Sequence, residues 1–264
     1  MALLALSHAA RPQAPPLALA LNIPAFRLEV REWGGEPWTI RVAVGMPKYP
    51  TPRGDFEVSA VEWNPWWIPP DSPWAAREKV TPPGPSNPMG RVKLHFRPLY
   101  FLHGTPWPRS IGTAGSHGCV RLSNDDAIRL GRAVVRAGAP GVSDSLLEAM
   151  IADSTHTRTV PLTVRVPLVV RYELVEVRGG RLLVHRDIYG LGPPPTVAQV
   201  LGVLAGAGWD TSVVDTMRVR ALLRRARTRG GGAGAGAGVG ADSLRAARPG
   251  SPSLDDQVND CIIQ

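Results

Sequence analysis

A chain of 264 residues, 44% of them hydrophobic, is long enough to bury one sizeable core and a small second unit besides. The net charge of +8 favours polyanionic partners in general, but six arginines lie between residues 218 and 229, so the charge says little about the rest of the chain. The two cysteines, Cys119 and Cys261, are too few for a disulfide framework, and no segment is long and apolar enough to span a bilayer.

Residues 1–19 are predicted to be an N-terminal stub. Ala2 to Leu6 are apolar, and the small residues around Ser7 loosely suit a cleavage site, but no basic segment precedes them. We interpret this stretch as an incomplete signal peptide whose start lies upstream. A frayed cytoplasmic N-terminus is the alternative.

Residues 20–178 are predicted to form a β-rich domain. Phe26, Leu28 and Val30 alternate with charged residues, which is the two-residue period of a half-buried strand. Further strands are predicted around residues 38–44, 56–58, 92–96, 163–166 and 169–177. Many short strands between Pro and Gly turns indicate a mainly β fold, either a sandwich or a barrel.

Residues 64–90 interrupt this pattern with a Pro- and Trp-rich insertion. Proline at this density prevents ladder hydrogen bonding, so the insertion is predicted to be a loop. Its tryptophans, with Trp66 and Trp67 as the candidates for substrate contact, either pack against a ligand or only cover the core with apolar area.

The remaining elements are helical. One helix is predicted inside the β-rich domain, capped by Asn124 or Asp125 and ending near Gly138. Residues 179–229 are predicted to form a hairpin, which turns at Gly179-Gly180, followed by a short helical extension whose last helix is capped by Asp215. Residues 230–264 have the composition of a flexible, disordered Gly/Ala-rich tail.

The stretch that carries chemistry combines one thiol with two imidazoles. His103 begins a His-Gly-Thr triplet, and sixteen residues later (119 − 103) Cys119 lies within Ser-His-Gly-Cys-Val-Arg-Leu, which also contains His117. A thiol nucleophile needs a base within hydrogen-bonding reach and a setting rich in donors. If residues 116–119 are extended, His117 and Cys119 point to the same side, and Arg121 does too. Arg121 can then bind a carboxylate in a bidentate way.

These residues resemble the signature of the YkuD-type L,D-transpeptidases. The resemblance extends to Thr-Pro-Arg-Gly-Asp-Phe at 51–56, Asn-Pro-Trp at 64–66 and Asn-Pro-Met-Gly at 87–90. Motifs of this length, in this order over roughly residues 20–178, are far more specific than a lone short pattern.

The resemblance implies a β-rich catalytic domain and acyl transfer through a thioester. The donor would be a peptidoglycan stem tetrapeptide, which releases D-alanine, and the acceptor would be an amine on a second stem or on a wall-anchored lipoprotein. Such an enzyme is expected to be exported to the periplasm or cell wall and to need no cofactor or metal. The resemblance assigns Cys119 as nucleophile, His103 as base and His117 as a further catalytic residue. It assigns substrate or oxyanion binding to Ser116, Gly118, Arg121, Gly104 and Thr105.

Other interpretations compete with transpeptidation. Water could resolve the same thioester, which would make the chain an L,D-carboxypeptidase, or the fold could be kept as a non-catalytic wall-binding module. Zinc held by His103, His117 and Cys119 is disfavoured, because no fourth ligand and no Cys-x-x-Cys spacing are present. The arginine run is interpreted as the solvated face of a helix rather than a nucleic-acid site, since no aromatic residues interleave it.

Overall fold

The computed structural model describes residues 15–228, 237–240 and 242–245. The chain divides into two compact units. The first comprises Met1–Glu173 with Ile188–Gly190, and the second comprises Leu174–Asp187 with Leu191–Gln264. The first unit thus ends five residues before the predicted boundary (178 − 173) and takes in three residues from farther along the chain. The predicted stub up to residue 14, most of the predicted tail and Cys261 lie outside the described residues.

The first unit is built on one large mixed sheet. The elements of this unit are β1 (Leu17–Asn22), β2 (Arg27–Glu32), β3 (Trp38–Arg41), β4 (Val44–Gly45), β5 (Gly54–Trp63), β6 (Val92–Arg97), β7 (Tyr100–His103), β8 (Ala114–Ser116), β9 (Val120–Arg121), α1 (Asn124–Gly138), α2 (Asp144–Ala152) and β10 (Arg158–Arg171). Eight strands follow in the order β3-β2-β1-β10-β5-β6-β7-β9, and β4 pairs separately with β8. Among the described residues of this unit, the parallel pairs are β1–β10, β7–β9 and β4–β8.

The two ends of this sheet are joined beyond β3. Ala43, two residues after β3, exchanges two backbone hydrogen bonds of 2.9 Å with Arg121 of β9, the strand at the opposite end of the order. This bridge gives the sheet its barrel-like closure. The prediction of a mainly β, barrel-like domain is therefore confirmed.

The core follows from the alternation seen in the sequence. Leu17, Leu19 and Leu21 of β1 and Leu28 and Val30 of β2 are buried, while the residues between them are more exposed. Successive side chains of a strand point to opposite faces, so each strand contributes one apolar row to the interior. At about 25 cal/mol per Å² of apolar area buried, such rows are the main stabilising contribution to the fold.

The predicted helix is α1, with one correction at its start. Its N-cap is Ser123 rather than Asn124 or Asp125, because the Ser123 hydroxyl accepts a hydrogen bond from the Asp126 backbone N–H. A buried stripe that includes Leu130 and Val134 packs on the sheet. A second helix, α2, was not predicted, because only Leu147 and Met150 of its nine residues are buried and the periodicity is weak.

The second unit contains the predicted hairpin and both predicted helices. Strands β11 (Val175–Arg178) and β12 (Arg181–Val184) meet at Gly179 and Gly180, both with positive φ, as a tight hairpin turn requires. The helices are α3 (Val197–Gly206) and α4 (Thr216–Thr228). Asp215 accepts hydrogen bonds from the backbone N–H groups of Met217 and Arg218, which confirms it as the cap of α4.

Part of the predicted tail is ordered, which corrects the prediction of disorder for those residues. Ala237–Gly240 form β13, which pairs antiparallel with β12, and Asp242–Leu244 form a 3-10 turn. A Cβ on Gly238 would lie 2.6 Å from Leu183 Cδ2. The small residues therefore allow close packing here, where composition alone predicted a linker.

No helix within residues 15–228, nor in the short segments described beyond them, is long and apolar enough to cross a membrane.

Candidate active site

Two short parallel strands bring the predicted base and nucleophile to one end of the sheet. His103 ends β7, and β9 begins one residue after Cys119. In the parallel pairing, Leu102 faces Val120 and His103 faces Arg121, and the Leu122 N–H donates to the His103 carbonyl at 2.8 Å. His103 and Cys119, sixteen residues apart in sequence (119 − 103), are therefore brought together by the pairing of β7 with β9.

The segment before Cys119 is a turn, so the condition under which His117, Cys119 and Arg121 would point to one side of an extended strand is not met. Strand β8 ends at Ser116. Gly118 has a φ of +108°, which residues other than glycine rarely adopt. A Cβ on Gly118 would also lie 2.7 Å from Tyr100 Cε1. The Gly118 N–H donates to the Ser116 hydroxyl at 3.1 Å, and this hydroxyl donates to the Cys119 carbonyl at 2.5 Å. Ser116 thus shapes the turn from which Cys119 projects.

A cavity of about 500 Å³ opens over this turn. This volume is within the range of ligand pockets in proteins. Its wall contains seven of the ten residues singled out from the sequence: Trp66, Trp67, His103, Ser116, His117, Cys119 and Arg121. The wall does not contain Gly104, Thr105 or Gly118.

These three residues have structural surroundings instead. A Cβ on Gly104 would lie 2.3 Å from Asn124 Oδ1, so only glycine fits between β7 and the start of α1. The Thr105 hydroxyl is buried and accepts a hydrogen bond from the Trp107 N–H at 3.2 Å. The Gly118 N–H, which the sequence suggested as an oxyanion donor, is already bonded to Ser116. These three residues lie outside the cavity wall, and their role in substrate or oxyanion binding stays a prediction.

His103 is buried as a neutral imidazole. The pKa of His103 is lowered to about 4, mainly by burial and also by the positive charges of Arg121 and Lys93, while hydrogen bonds with the Gly104 and Met89 backbone act in the opposite direction. Its Nδ1 lies 2.6 Å from the Gly104 carbonyl oxygen. Because a carbonyl only accepts, Nδ1 carries the proton, and Nε2 of the neutral ring is left as the atom able to accept one.

Cys119 is a protonated thiol at rest. Burial raises the pKa of Cys119 to about 11, although a hydrogen bond with the Phe101 backbone and the charges of Arg121 and Lys93 act in the opposite direction. At neutral pH the resting pair is therefore thiol and neutral imidazole, and the thiolate must form as the thiol proton moves to a base during the reaction.

His117 is held by aromatic rings rather than by hydrogen bonds. Its ring stacks on Trp74 with centroids 3.9 Å apart and planes 5° apart, and Tyr49 contacts it with centroids 4.9 Å apart. Burial, followed by the charge of Arg121, lowers the pKa of His117. The stack ties the turn at Cys119 to the insertion at residues 64–90.

Charged groups line the pocket floor. The Lys93 ammonium and the Glu62 carboxylate form an ion pair of 2.7 Å, and His95 Nε2 lies 2.9 Å from the same carboxylate. Burial raises the pKa of Glu62, but the hydrogen bonds with His95 and Lys93 outweigh it, and the pKa lies below its usual value. Arg121 is half-buried and forms no ion pair with a carboxylate in the described part of the chain.

Among the residues of the pocket that were not singled out from the sequence are Lys93, Glu62 and Trp107. Trp74, which also lines the pocket, is one of the insertion tryptophans already considered for substrate contact. Alternation along β6 indicates on which face of the strand Lys93 lies. Only the pairing of Lys93 with His103 shows that this face reaches the site.

Groups of three or more His, Cys, Asp or Glu side chains that could hold a metal ion do not occur among the described residues. His103, His117 and Cys119 share a pocket wall without forming such a group.

Comparison with known proteins identifies a family over nearly half of the chain. Residues 17–142 match the YkuD family, which is described as the L,D-transpeptidase catalytic domain. The "Probable L,D-transpeptidase YbiS" of Escherichia coli K12 is 53% identical over 47 residues, which are 18% of this chain and 15% of that protein. The "Probable L,D-transpeptidase ErfK/SrfK" of Salmonella typhimurium is 37% identical over 95 residues, which are 32% of this chain and 30% of that protein.

These matches cover less than a third of either relative. Among solved structures, an L,D-transpeptidase from Mycobacterium smegmatis is 20% identical over 59% of this chain and 58% of that one, with a TM-score of 0.38.

Proposed function

We propose, on the premise that residues 17–142 form an L,D-transpeptidase catalytic domain of the YkuD family, that this chain is a cysteine acyltransferase that cross-links peptidoglycan stem peptides. The observation that supports the proposal is that His103, at the end of β7, and Cys119, directly before the adjoining strand β9, both lie in the wall of one cavity. A neutral imidazole that can accept a proton and a thiol in the wall of the same cavity are the two groups that acyl transfer through a thioester requires.

In the first half-reaction, the Cys119 sulfur attacks the carbonyl carbon of the third stem residue while Nε2 of His103 accepts the thiol proton. The carbon–nitrogen bond to the terminal D-alanine then breaks, and the proton passes from His103 to the leaving amine. The product is a thioester on Cys119 and free D-alanine. His103 acts first as base and then as acid, which a ring fixed through its Nδ1–H can do without turning.

In the second half-reaction, an amine attacks the thioester carbonyl. Its proton passes to His103 and from there to the departing Cys119 sulfur, so that the enzyme returns to thiol and neutral imidazole. The amine would belong to a second stem peptide or to a wall-anchored lipoprotein. Substrates of this kind place the working enzyme outside the cytoplasm, in the periplasm or cell wall.

The pocket suits a peptide that carries charges. Arg121 has no carboxylate partner among the described residues, so its guanidinium is available to a carboxylate of the stem peptide. The insertion supplies Trp66, Trp67 and Trp74, whose rings can pack on the apolar parts of the same substrate.

The test uses the intact mass of the protein after incubation with a carbapenem. The strained amide of this β-lactam class acylates a nucleophile in a donor site without needing an acceptor. We expect one stable adduct on the wild type and none on Cys119→Ala. Absence of an adduct on folded wild-type protein would contradict the proposal.

The acceptor is then identified from the products formed with a purified stem tetrapeptide. Cross-linked dimer together with free D-alanine supports transpeptidation. Tripeptide with D-alanine and no dimer would make the chain an L,D-carboxypeptidase, because water would then be the acceptor.

A further inference from the structure

A short segment from late in the sequence belongs to the catalytic unit. Ile188–Gly190 group with the unit that carries Cys119, whereas the chain on either side, Leu174–Asp187 and Leu191 onwards, groups with the other unit. The segment also lies well beyond residue 142, where the match to the YkuD family ends. Its contacts explain why these three residues belong to the catalytic unit.

Tyr189 is the residue of this segment that reaches the nucleophile's surroundings. Its hydroxyl donates to the Gly45 carbonyl at 2.8 Å and accepts from the Thr51 N–H at 3.1 Å. Its own N–H donates to the Tyr172 hydroxyl at 2.7 Å, and the two rings stack with centroids 5.3 Å apart. Burial raises the pKa of Tyr189, so the hydroxyl stays protonated and can donate.

The two groups that Tyr189 binds frame a tight loop. A Cβ on Gly45 would lie 2.2 Å from the Tyr49 carbonyl oxygen, so residues 45–51 fold closely on themselves. The Gly45 N–H donates to the Thr51 hydroxyl at 2.8 Å. The Tyr189 hydroxyl therefore bonds to both ends of this loop, Gly45 and Thr51, and the Thr51 hydroxyl bonds the two ends to each other.

The loop in turn fixes the residue before the nucleophile. The buried Thr51 hydroxyl donates to the Gly118 carbonyl at 3.0 Å. Gly118 has the positive φ that creates the turn to Cys119. An unbroken series of hydrogen bonds thus runs from the Tyr189 hydroxyl through Thr51 to the peptide unit that joins Gly118 to Cys119.

We propose that Tyr189 is a positioning residue for the nucleophile, which acts through Thr51 to hold the Gly118–Cys119 turn in the geometry for attack. This inference rests on the proposed acyl transfer by Cys119. Reaction rates are sensitive to displacements of the attacking atom of about 1 Å, so a loosened turn lowers the rate of bond formation more than it weakens binding.

The test is Tyr189→Phe, which keeps the ring and its stack on Tyr172 but removes the hydroxyl's hydrogen bonds with Gly45 and Thr51. We expect the acylation rate constant for a carbapenem to fall about tenfold, with the affinity of the preceding reversible complex little changed. Tyr172→Phe is the matched control. It removes a hydrogen bond from the same segment but leaves the Tyr189 hydroxyl in place, so we expect the acylation rate constant to stay within about twofold of wild type.

Thr51 provides a second and independent measurement. Thr51→Val removes the hydroxyl that binds Gly118 and is expected to reproduce the loss, whereas Thr51→Ser keeps a hydroxyl and restores the rate. If both residues act in one series, Tyr189→Phe combined with Thr51→Val loses little more than either change alone.

The outcomes separate this inference from the proposed function. If the wild type forms no adduct, the proposed function fails, and the role of Tyr189 falls with it. If the wild type is acylated and folded Tyr189→Phe reacts at the same rate constant, only the role of Tyr189 is overturned. A loss of rate that merely follows the fraction of unfolded protein, measured by circular dichroism, would also overturn it.

Discussion

The two walls of the candidate pocket are built in different ways. On the sheet wall, Lys93 pairs with His103 and His103 pairs with Arg121, so three side chains that line the pocket lie in one row across β6, β7 and β9. On the insertion wall, Trp66, Trp67 and Trp74 come from residues 64–90, where the only strand-like pairing among described residues is the isolated bridge between Trp67 and Thr81.

In the insertion, side chains satisfy the backbone N–H and carbonyl groups that inter-strand hydrogen bonds satisfy in the sheet. Asn87 is fully buried, and its amide donates to the carbonyls of Pro65, Thr81 and Pro82, while its oxygen accepts from the Met89 N–H. One asparagine thus satisfies four backbone groups of a loop whose prolines cannot form a ladder. The groups assigned to bond making lie on the sheet wall, together with Arg121, which is assigned to a substrate carboxylate, whereas the loop supplies only groups assigned to recognition. Changes on the first wall should therefore lower turnover, and changes on the second should weaken binding.

The largest effect is expected at Cys119. Cys119→Ser replaces the thiol by an alcohol, a far poorer nucleophile near neutral pH, and turnover of stem tetrapeptide should fall on the order of a thousandfold or more. Release of D-alanine measures this, with Cys119→Ala as the control for background and thermal unfolding as the control for folding. Retained turnover in either variant would assign the chemistry to another residue.

The second effect compares the two histidines of the pocket. His103→Gln keeps a donor for the Gly104 carbonyl but removes the Nε2 base, and kcat should fall about a hundredfold or more. His117→Gln loses only the stack with Trp74 and Tyr49, so a loss of about tenfold or less is expected. If His117→Gln proved the more damaging change, the two roles would have to be exchanged.

A smaller effect concerns the stability of the sheet wall in acid. The pKa of His103 is about 4 in the folded protein and about 6.5 in the unfolded chain, so the unfolded state binds the proton more tightly. The stabilisation from the neutral ring is complete above about pH 6.5 and is lost as the pH falls towards 4. Between about pH 7 and pH 4.5, the wild type should lose about 2 kcal/mol more unfolding free energy than His103→Gln, measured with urea. Equal losses in both proteins would mean that His103 is not buried as the neutral ring.

The features of this pocket that the sequence predicted are those that depend on residues close together in the sequence. The alternation in β2, the presence of a strand at β6 and the cap at Asp215 depend on neighbouring residues, and they were predicted. The turn at Gly118 was missed, because a single residue with positive φ leaves no periodic pattern in the sequence. An extended conformation of residues 116–119 was equally consistent with the amino-acid sequence. Strand β9 has only two residues and shows no period at all.

Contacts between residues far apart in sequence could not be predicted from local sequence patterns. Tyr189 and Thr51 are 138 residues apart, and nothing in either motif indicates the other. The motifs at 64–66 and 87–90 were recognised as parts of a family signature, yet their physical task, which is to tie down a proline-rich loop through Asn64 and Asn87, became visible only from the hydrogen bonds. Resemblance to a family therefore predicts the reacting residues of a site more readily than the hydrogen bonds that hold those residues in place.

The smallest effect is expected on the insertion wall. Trp74→Ala removes the ring that stacks on His117 and lines the pocket, but no group assigned to proton transfer or attack. One aromatic contact contributes about 1 kcal/mol, so KM for the stem peptide should rise about fivefold while kcat changes little. Trp33→Ala is the matched control, because Trp33 is 73% exposed and does not line the pocket. A fall in kcat at unchanged KM would show that the stack on His117 orders the nucleophile's turn, and the division between a reacting wall and a binding wall would then no longer hold.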